Sequence, residues 1–142
     1  MTGPTSVVIE VDGASRGNPG PAAYGAVLRD AATGAVIAED GTAIGVASNN
    51  VAEYSGLIAG LKLAAEFAPD ASVEARLDSK LVVEQMSGRG KIKHPAMAEL
   101  AAQAREILTG TPVAFEWIPR AENARADRLA NESMDKKLSF ER

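Results

Sequence analysis

Runs of apolar residues, separated by turns rich in glycine and proline, divide the first third of the chain into strands. The β-branched run at residues 6–11 predicts a buried strand that ends at Asp12. Apolar runs at residues 23–30 and 35–45 predict two more strands, joined by a short hairpin connection. Because short connections link all three strands, we expect them to pair in antiparallel fashion.

Apolar residues recur at the helical period in the next part of the chain. Asn49 or Asn50 is predicted to cap a helix that runs to about Phe67. The remaining predicted elements are a strand at residues 73–77, a helix at 80–86, a helix from Pro95 to about Gly110, a strand at 113–118 and a last helix capped by Asn123. This order of elements predicts an α/β fold in which helices cover the faces of a mixed sheet.

The composition restricts the kinds of site that the domain can build. The chain has 142 residues, 46% hydrophobic and 24% charged, and it contains no cysteine. We therefore expect one globular domain in which only oxygen atoms or the single His94 can hold a metal ion. The net charge of −4 disfavours a protein that binds nucleic acid through overall positive charge. No apolar run matches a membrane span or a signal peptide, so we expect a cytoplasmic protein.

Four acidic residues stand where a binding site is expected. Asp12 and Asp78 directly follow apolar strands, and Glu53 and Asp127 lie in the first turns of two helices. If the two strands are neighbours, the acids can converge into a cluster of oxygen ligands suited to Mg²⁺ or Mn²⁺. Each acid alone has a simpler interpretation, as a turn residue, a helix cap or a helix-start acid. Only their joint placement favours a metal site.

Four motifs in this order resemble those of type 1 ribonuclease H, including its actinobacterial members. They are DGASRGNPG at residues 12–20, SNNVAEY at 48–54, LDSKLVVEQM at 77–86 and NARADRLAN at 123–131. The resemblance implies the ribonuclease H-like fold, a five-stranded mixed sheet with flanking helices whose first three strands are antiparallel. It also implies an endonuclease that hydrolyses the RNA strand of RNA–DNA hybrids and leaves 5′-phosphate and 3′-hydroxyl ends.

The same resemblance implies a role for each acid. Asp12 would contact two Mg²⁺ ions, for which Mn²⁺ can substitute. Asp127 would complete the site of the ion that activates water, and Glu53 and Asp78 would hold the other ion. The resemblance further implies substrate contacts, mainly in the minor groove, for a set of loop and helix-start residues: Ser15, Gly17, Asn18, Ser48, Asn49 and Asn50. Ser48 is placed near a pocket for a DNA phosphate, although it could equally be only a helix cap.

Two segments depart from the pattern of the family. Many members carry a histidine in the loop before the last helix, whereas the loop here is the short IPRAEN at residues 118–123. Arg120 is the residue of this loop that could contact a phosphate or the leaving group. Some members also have a long basic protrusion, which is reduced here to GRGKIKHP at residues 88–95, so we expect weak, salt-dependent phosphate contacts. Trp117 and His94 are interpreted as a core residue and a helix-start residue.

The catalytic domain is predicted to span residues 1–135. Residues 136–142 are interpreted as a flexible tail or a linker to a further C-terminal domain, as in actinobacterial relatives. We expect a monomer whose partner is an RNA–DNA hybrid and not a membrane. Two alternatives stay open: a catalytically inactive hybrid-binding module of the same fold, and a nucleotide-binding lobe of an ATPase or sugar kinase.

Overall fold

The computed structural model describes residues 3–140 and consists of one mixed sheet with four helices. The strands are β1 (Ser6–Ser15), β2 (Gly20–Asp30), β3 (Val36–Ala47), β4 (Ser72–Leu77) and β5 (Val113–Trp117). The helices are α1 (Asn49–Phe67), α2 (Lys80–Met86), α3 (Pro95–Ile107) and α4 (Ala124–Phe140), and a short 3₁₀ turn at Arg120–Asn123 leads into α4. The predicted element order and fold class are confirmed.

The order of strands in the sheet is β3-β2-β1-β4-β5. β1 pairs with β2, and β2 with β3, in antiparallel fashion, whereas β1–β4 and β4–β5 are parallel. In the β1–β4 pair, Val11 stands opposite Leu77. Because parallel strands run in the same direction, Asp12 and Asp78 follow these partners at the same edge of the sheet.

Helices cover both faces of the sheet. Val7, Ile9 and Val11 of β1 pack in a core cluster with residues of α1 and α3. On β2, Ala26 belongs to this cluster, whereas its neighbour Gly25 faces α4 on the other side. Successive strand residues point to opposite faces, so the sheet separates α4 from the α1–α3 layer. Burial of these apolar side chains is the main term that stabilises the fold.

Two glycines allow α4 to approach the sheet closely. A Cβ atom built on Gly25 would lie 2.1 Å from the carbonyl oxygen of Ala126, and one on Gly41 would lie 2.6 Å from Ser133 Oγ. Real Cβ atoms are not found at such distances, so a side chain at Gly25 would push the helix outward, and one at Gly41 would displace the Ser133 hydroxyl and crowd the carbonyl oxygen of Leu129. These glycines therefore set the distance between α4 and β2–β3.

Two predicted boundaries near the site were wrong. β1 does not end at Asp12 but continues to Ser15, so the glycine-rich turn is confined to residues 16–19. The N-cap of α1 is Ser48, whose Oγ accepts a hydrogen bond from Val51 N at 3.2 Å, and not Asn49 or Asn50. A hydroxyl at this position satisfies one of the unpaired N–H groups of the first helical turn.

The last helix is longer than predicted. α4 continues to Phe140, so residues 136–140, which were predicted to follow the helix as a tail or linker, are helical. Buried Ala126, Ala130 and Met134 recur at a spacing of four and hold the helix against the sheet. Residues 141–142 lie outside the described residues, and a linker function for this segment stays a prediction. Within residues 3–140, no helix has the length and apolar character needed to cross a membrane.

Candidate active site

The four predicted acids line one open cleft at the edge of the sheet. Asp12 comes from β1, Glu53 from the first turns of α1, Asp78 from the residue after β4, and Asp127 from the first turn of α4. Ligand oxygens of Asp12, Glu53 and Asp78 all lie within 4.8 Å of one another. Asp127 stands next to Asp12, and the two carboxyls are within hydrogen-bonding reach. The cleft thus gathers four carboxyls from four separate elements.

A glycine makes the contact between β1 and α1 possible. A Cβ atom on Gly13 would lie 2.2 Å from the main-chain carbon of Ala52 and 2.3 Å from Glu53 N. The first turns of α1 therefore rest directly on the backbone of β1, which brings the Glu53 carboxyl to Asp12. Only glycine permits this approach.

Burial and mutual repulsion disfavour the charged forms of these acids. Asp12 is 5% exposed and Glu53 is 7% exposed. Loss of water, reinforced by the charges of neighbouring carboxylates, raises the pKa of Asp12 to about 7 and that of Glu53 to about 9. Burial also raises the pKa of Asp78, although the amide of Asn123 and the charge of Arg120 act in the opposite direction. The cluster therefore requires protons or cations to balance its charge.

The residues present fit a divalent cation. Glu53 Oε2 is fully buried and has no hydrogen-bond partner in the described part of the chain. An unpaired buried carboxyl oxygen is costly, and a cation is the ligand that would satisfy it while neutralising its neighbours. An all-oxygen set of carboxylates matches the preference of hard ions such as Mg²⁺ or Mn²⁺.

Two asparagines that the sequence prediction did not assign to the site hold its acids in place. Asn123 is 1% exposed, and its Nδ2 donates to the carbonyl oxygen of Val11 at 2.8 Å. It was predicted to cap α4, but its side chain instead reaches back to β1. Asn131 Nδ2 donates to Asp127 O at 3.0 Å and to Asp127 Oδ1 at 3.3 Å. Both residues belong to the motif at residues 123–131, but nothing in that pattern shows which groups their side chains contact.

The residues predicted to contact substrate fall into two groups. Ser15, Asn49 and Arg120 line the cleft with the acids. The lining of the cleft does not include the other predicted contacts, which are Gly17, Asn18, Ser48 and Asn50. Asn18 and Asn49 connect the β1–β2 turn to α1, because Asn49 N donates to Asn18 Oδ1 at 3.1 Å and Ser15 N donates to Asn49 Oδ1 at 2.9 Å. Ser15 Oγ donates to main-chain carbonyls, including that of Ala47 at 2.8 Å.

Arg120 and Trp117 stand at the rim of the cleft. The Arg120 guanidinium lies 3.7 Å from Asp127 Oδ1, but its side chain is 82% exposed, so this ion pair adds little stability. Trp117 was predicted to pack in the core, which is wrong: it is 41% exposed and lines the cleft. Its indole N–H donates to the carbonyl oxygen of Asp78 at 3.0 Å, and the Lys80 ammonium lies 4.7 Å from the ring centroid.

The basic segment at residues 88–94 is partly engaged within the protein. Arg89 forms two hydrogen bonds with the carboxylate of Glu84, at 2.9 and 3.1 Å. Lys91 and Lys93 are exposed. His94 begins α3 as predicted, since its Nδ1 accepts a hydrogen bond from Ala96 N at 3.2 Å. Lys91 and Lys93 are therefore better placed to contact phosphates than Arg89, which is paired with Glu84.

Comparisons with known proteins agree with this geometry. A family model described as reverse transcriptase-like matches residues 10–133. The bifunctional protein Rv2228c of Mycobacterium tuberculosis is 57% identical over 131 residues, which are 91% of this chain and 35% of that protein. Ribonuclease HI of Halobacterium salinarum is 49% identical over 128 residues, which are 87% of this chain and 62% of that protein. The chain thus spans only part of the length of both relatives.

Solved structures match over nearly the whole chain. The N-terminal RNase H domain of Rv2228c superposes with a TM-score of 0.90 at 51% identity, covering 97% of this chain and 99% of that one. LC11-RNase H1, solved in complex with an RNA/DNA hybrid, superposes with a TM-score of 0.88 at 41% identity, covering 94% and 99%. Since the fold, the acid cluster and these matches agree, the chain belongs to the type 1 ribonuclease H family.

Proposed function

We propose that this domain is an endonuclease that hydrolyses the RNA strand of RNA–DNA hybrids with the help of divalent cations. The observation that carries the proposal is the convergence of Asp12, Glu53, Asp78 and Asp127 on one cleft. The solved complex of LC11-RNase H1 with an RNA/DNA hybrid supports the choice of substrate, because that protein matches this chain over most of its length.

In the proposed mechanism the four carboxyls would hold two Mg²⁺ ions, for which Mn²⁺ could substitute. When bound, such ions supply an activated water and neutralise the charge that develops on the leaving oxygen. Asp12 interacts with each of the other three acids, so it would be suited to contact both ions, while Asp127 would complete one ion site and Glu53 and Asp78 the other. The carboxyls must release their protons for this role, so ion binding releases protons and strengthens as the pH rises. Cleavage would leave 5′-phosphate and 3′-hydroxyl ends.

Polar groups beside the acids are proposed to recognise RNA through its 2′-hydroxyl groups. In an A-like duplex, the shallow minor groove exposes these hydroxyls on the RNA strand alone. Asn49 Oδ1 accepts from Ser15 N, so Asn49 Nδ2 is the group that can donate to a 2′-hydroxyl. Asn50 and the turn residues Gly17 and Asn18 would extend this surface, and Ser48 would lie near a DNA phosphate.

Arg120 is proposed to contact a phosphate of the cut strand. Its guanidinium is mostly exposed and stands over the cleft near Asp127. A guanidinium can donate two parallel hydrogen bonds to phosphate oxygens, which a single surface ion pair does not prevent. It would take the position in which many family members carry a histidine.

Cleavage of a labelled hybrid tests the proposal. We expect the RNA strand to be cut in MgCl₂ and not in EDTA, with duplex DNA left intact. Asp12→Asn should lower the rate by at least about a thousandfold. Asp70→Asn, an exposed carboxylate in the connection before β4 at the opposite edge of the sheet, is the control and should leave the rate unchanged.

Two outcomes would contradict the assignment. Cleavage by Asp12→Asn at the wild-type rate would remove these acids from the reaction. Tight hybrid binding without cleavage in MgCl₂ or MnCl₂ would favour an inactive binding module, and labelling of the new 5′ end would test the predicted product.

We also propose that a second domain follows this one in the full-length protein. The match covers 35% of a mycobacterial protein whose name describes it as bifunctional, and this supports a fused C-terminal domain that follows residues 136–142. A cytoplasmic location and a monomeric state are proposed with it. Size-exclusion chromatography of the domain tests the monomer directly.

A further inference from the structure

The buried side chain of Asn123 lies close to three of the four segments that carry the acids. Asn123 belongs to the 3₁₀ turn between β5 and α4. Its Nδ2 donates to the carbonyl oxygen of Val11, the residue before Asp12, across a sequence separation of 112. The side chain also lies against the Asp78 carboxyl, and it stands one turn before Asp127.

The chemistry of an amide suits this position. The Val11 carbonyl that Nδ2 contacts is a hydrogen-bond acceptor, so a donor is required there. The Asp78 carboxyl beside the amide is a second acceptor, and contact with the amide favours its charged form. Aspartate has the same shape but would add a fifth negative charge and would offer no donor when ionised. Leucine would fill a similar volume without polar contacts.

The burial of Asn123 is not explained by stability alone. Its Oδ1 is fully buried and has no hydrogen-bond partner within residues 3–140. A buried polar atom without a partner is unfavourable, and an apolar residue of the same size would avoid that penalty. An apolar replacement would lose the hydrogen bond to β1 and the polar contact with the Asp78 carboxyl.

We infer that Asn123 is a positioning residue that holds β1 at Val11, the Asp78 carboxyl and the start of α4 at the spacing needed for divalent-cation binding. The inference rests on the proposed function of the acid cluster. Groups that orient the ligands of a metal ion typically change its affinity or the activity by about 10- to 100-fold when removed. Asn123 itself would not contact the ion or the substrate.

The test compares Asn123→Leu with a matched control. Gln85 is the control because it is another buried amide, 4% exposed, whose Nε2 donates to the carbonyl oxygen of Lys91 away from the cleft. Each variant is titrated with MgCl₂ while amide chemical shifts report binding, and urea denaturation reports folding. We expect Asn123→Leu to raise the midpoint of the MgCl₂ titration by about tenfold or more. Gln85→Leu should lower the urea midpoint but leave the MgCl₂ midpoint unchanged.

Further variants and a cleavage assay distinguish a failure of the inference about Asn123 from a failure of the proposed function. Asn123→Asp should weaken hybrid cleavage at low MgCl₂ at least as much as leucine does, and Asn123→Ser replaces Asn123→Leu if the latter does not fold. An unchanged MgCl₂ midpoint in folded Asn123 variants would overturn the inference, as would an equal change in Gln85→Leu. In both cases wild-type cleavage would leave the proposed function standing. A wild-type protein that neither binds MgCl₂ nor cuts hybrids would refute both proposals.

Discussion

Replacing Asp12 with asparagine should stabilise the protein in the absence of divalent cations, although it removes a carboxyl proposed to be essential. The pKa of Asp12 rises from 3.8 to about 7, mainly because of burial and also because of the charge of Asp78. Each pH unit of such a difference corresponds to about 1.4 kcal/mol, which gives about 4 kcal/mol as an upper value. Because water entry and relaxation screen buried charges, we expect a gain of about 2–4 kcal/mol.

The dependence of this gain on pH follows from linkage. Below pH 3.8 the carboxyl is protonated in both the folded and the unfolded state, so the variant gains nothing. Between pH 3.8 and about 7 the unfolded chain ionises while the folded protein keeps its proton, and the wild type loses stability relative to the variant. Above about pH 7 both states are ionised and the difference stays constant. The free-energy difference should therefore be near zero at pH 4 and largest at pH 8.

Urea denaturation in EDTA, followed by circular dichroism at pH 4, 6 and 8, measures the difference. Asp70→Asn is the control and should stay within about 0.5 kcal/mol of the wild type at each pH, as surface substitutions usually do. With MgCl₂ at ten times its dissociation constant, the wild type should gain about 1.4 kcal/mol and the variant less. A variant that is no more stable than the wild type at pH 8 in EDTA would refute the reasoning.

Two further substitutions test the packing around the site. Gly13→Ala places a Cβ atom 2.2 Å from the Ala52 main chain, so we expect it to lower the free energy of unfolding by at least about 3 kcal/mol. The control, Gly34→Ala in an open turn, should lower it by about 1 kcal/mol. Equal losses for the two variants in urea denaturation would contradict this prediction. Tyr54→Phe removes the 2.6 Å hydrogen bond to Gln85 Oε1 in the core and should cost about 1–3 kcal/mol, while a changed rate of hybrid cleavage would be unexpected.

Local patterns in the sequence were sufficient to predict where most strands and helices lie, but not which strands pair with one another in the sheet. The hydrophobic periods located all five strands and four helices, because each element buries one face or stripe. The meeting of Asp12 and Asp78 depends on the parallel pairing of β1 with β4, which no local pattern contains. The family resemblance supplied that information, and the register of Val11 with Leu77 confirms it.

The errors also have physical causes. Trp117 lies on β5, which is the last strand of the sheet and has one neighbour, so part of its surface stays open. Its apolar flanks could not reveal how many strands surround it. The length of α4 was visible in principle, since Ala126, Ala130 and Met134 share one face, but the mostly polar residues that follow Met134 suggested a tail. The partner of Asn123 is 112 residues away and therefore outside any local pattern.

The late position of α4 in the chain has a consequence for synthesis on the ribosome. Asp127 belongs to the last helix, and that helix reaches its place only by packing on Gly25 and Gly41 of strands made much earlier. A nascent or prematurely terminated polypeptide would carry three of the acids without the fourth. If the proposed activity is correct, such fragments cannot cut nucleic acid, because cleavage needs the acid that is translated last.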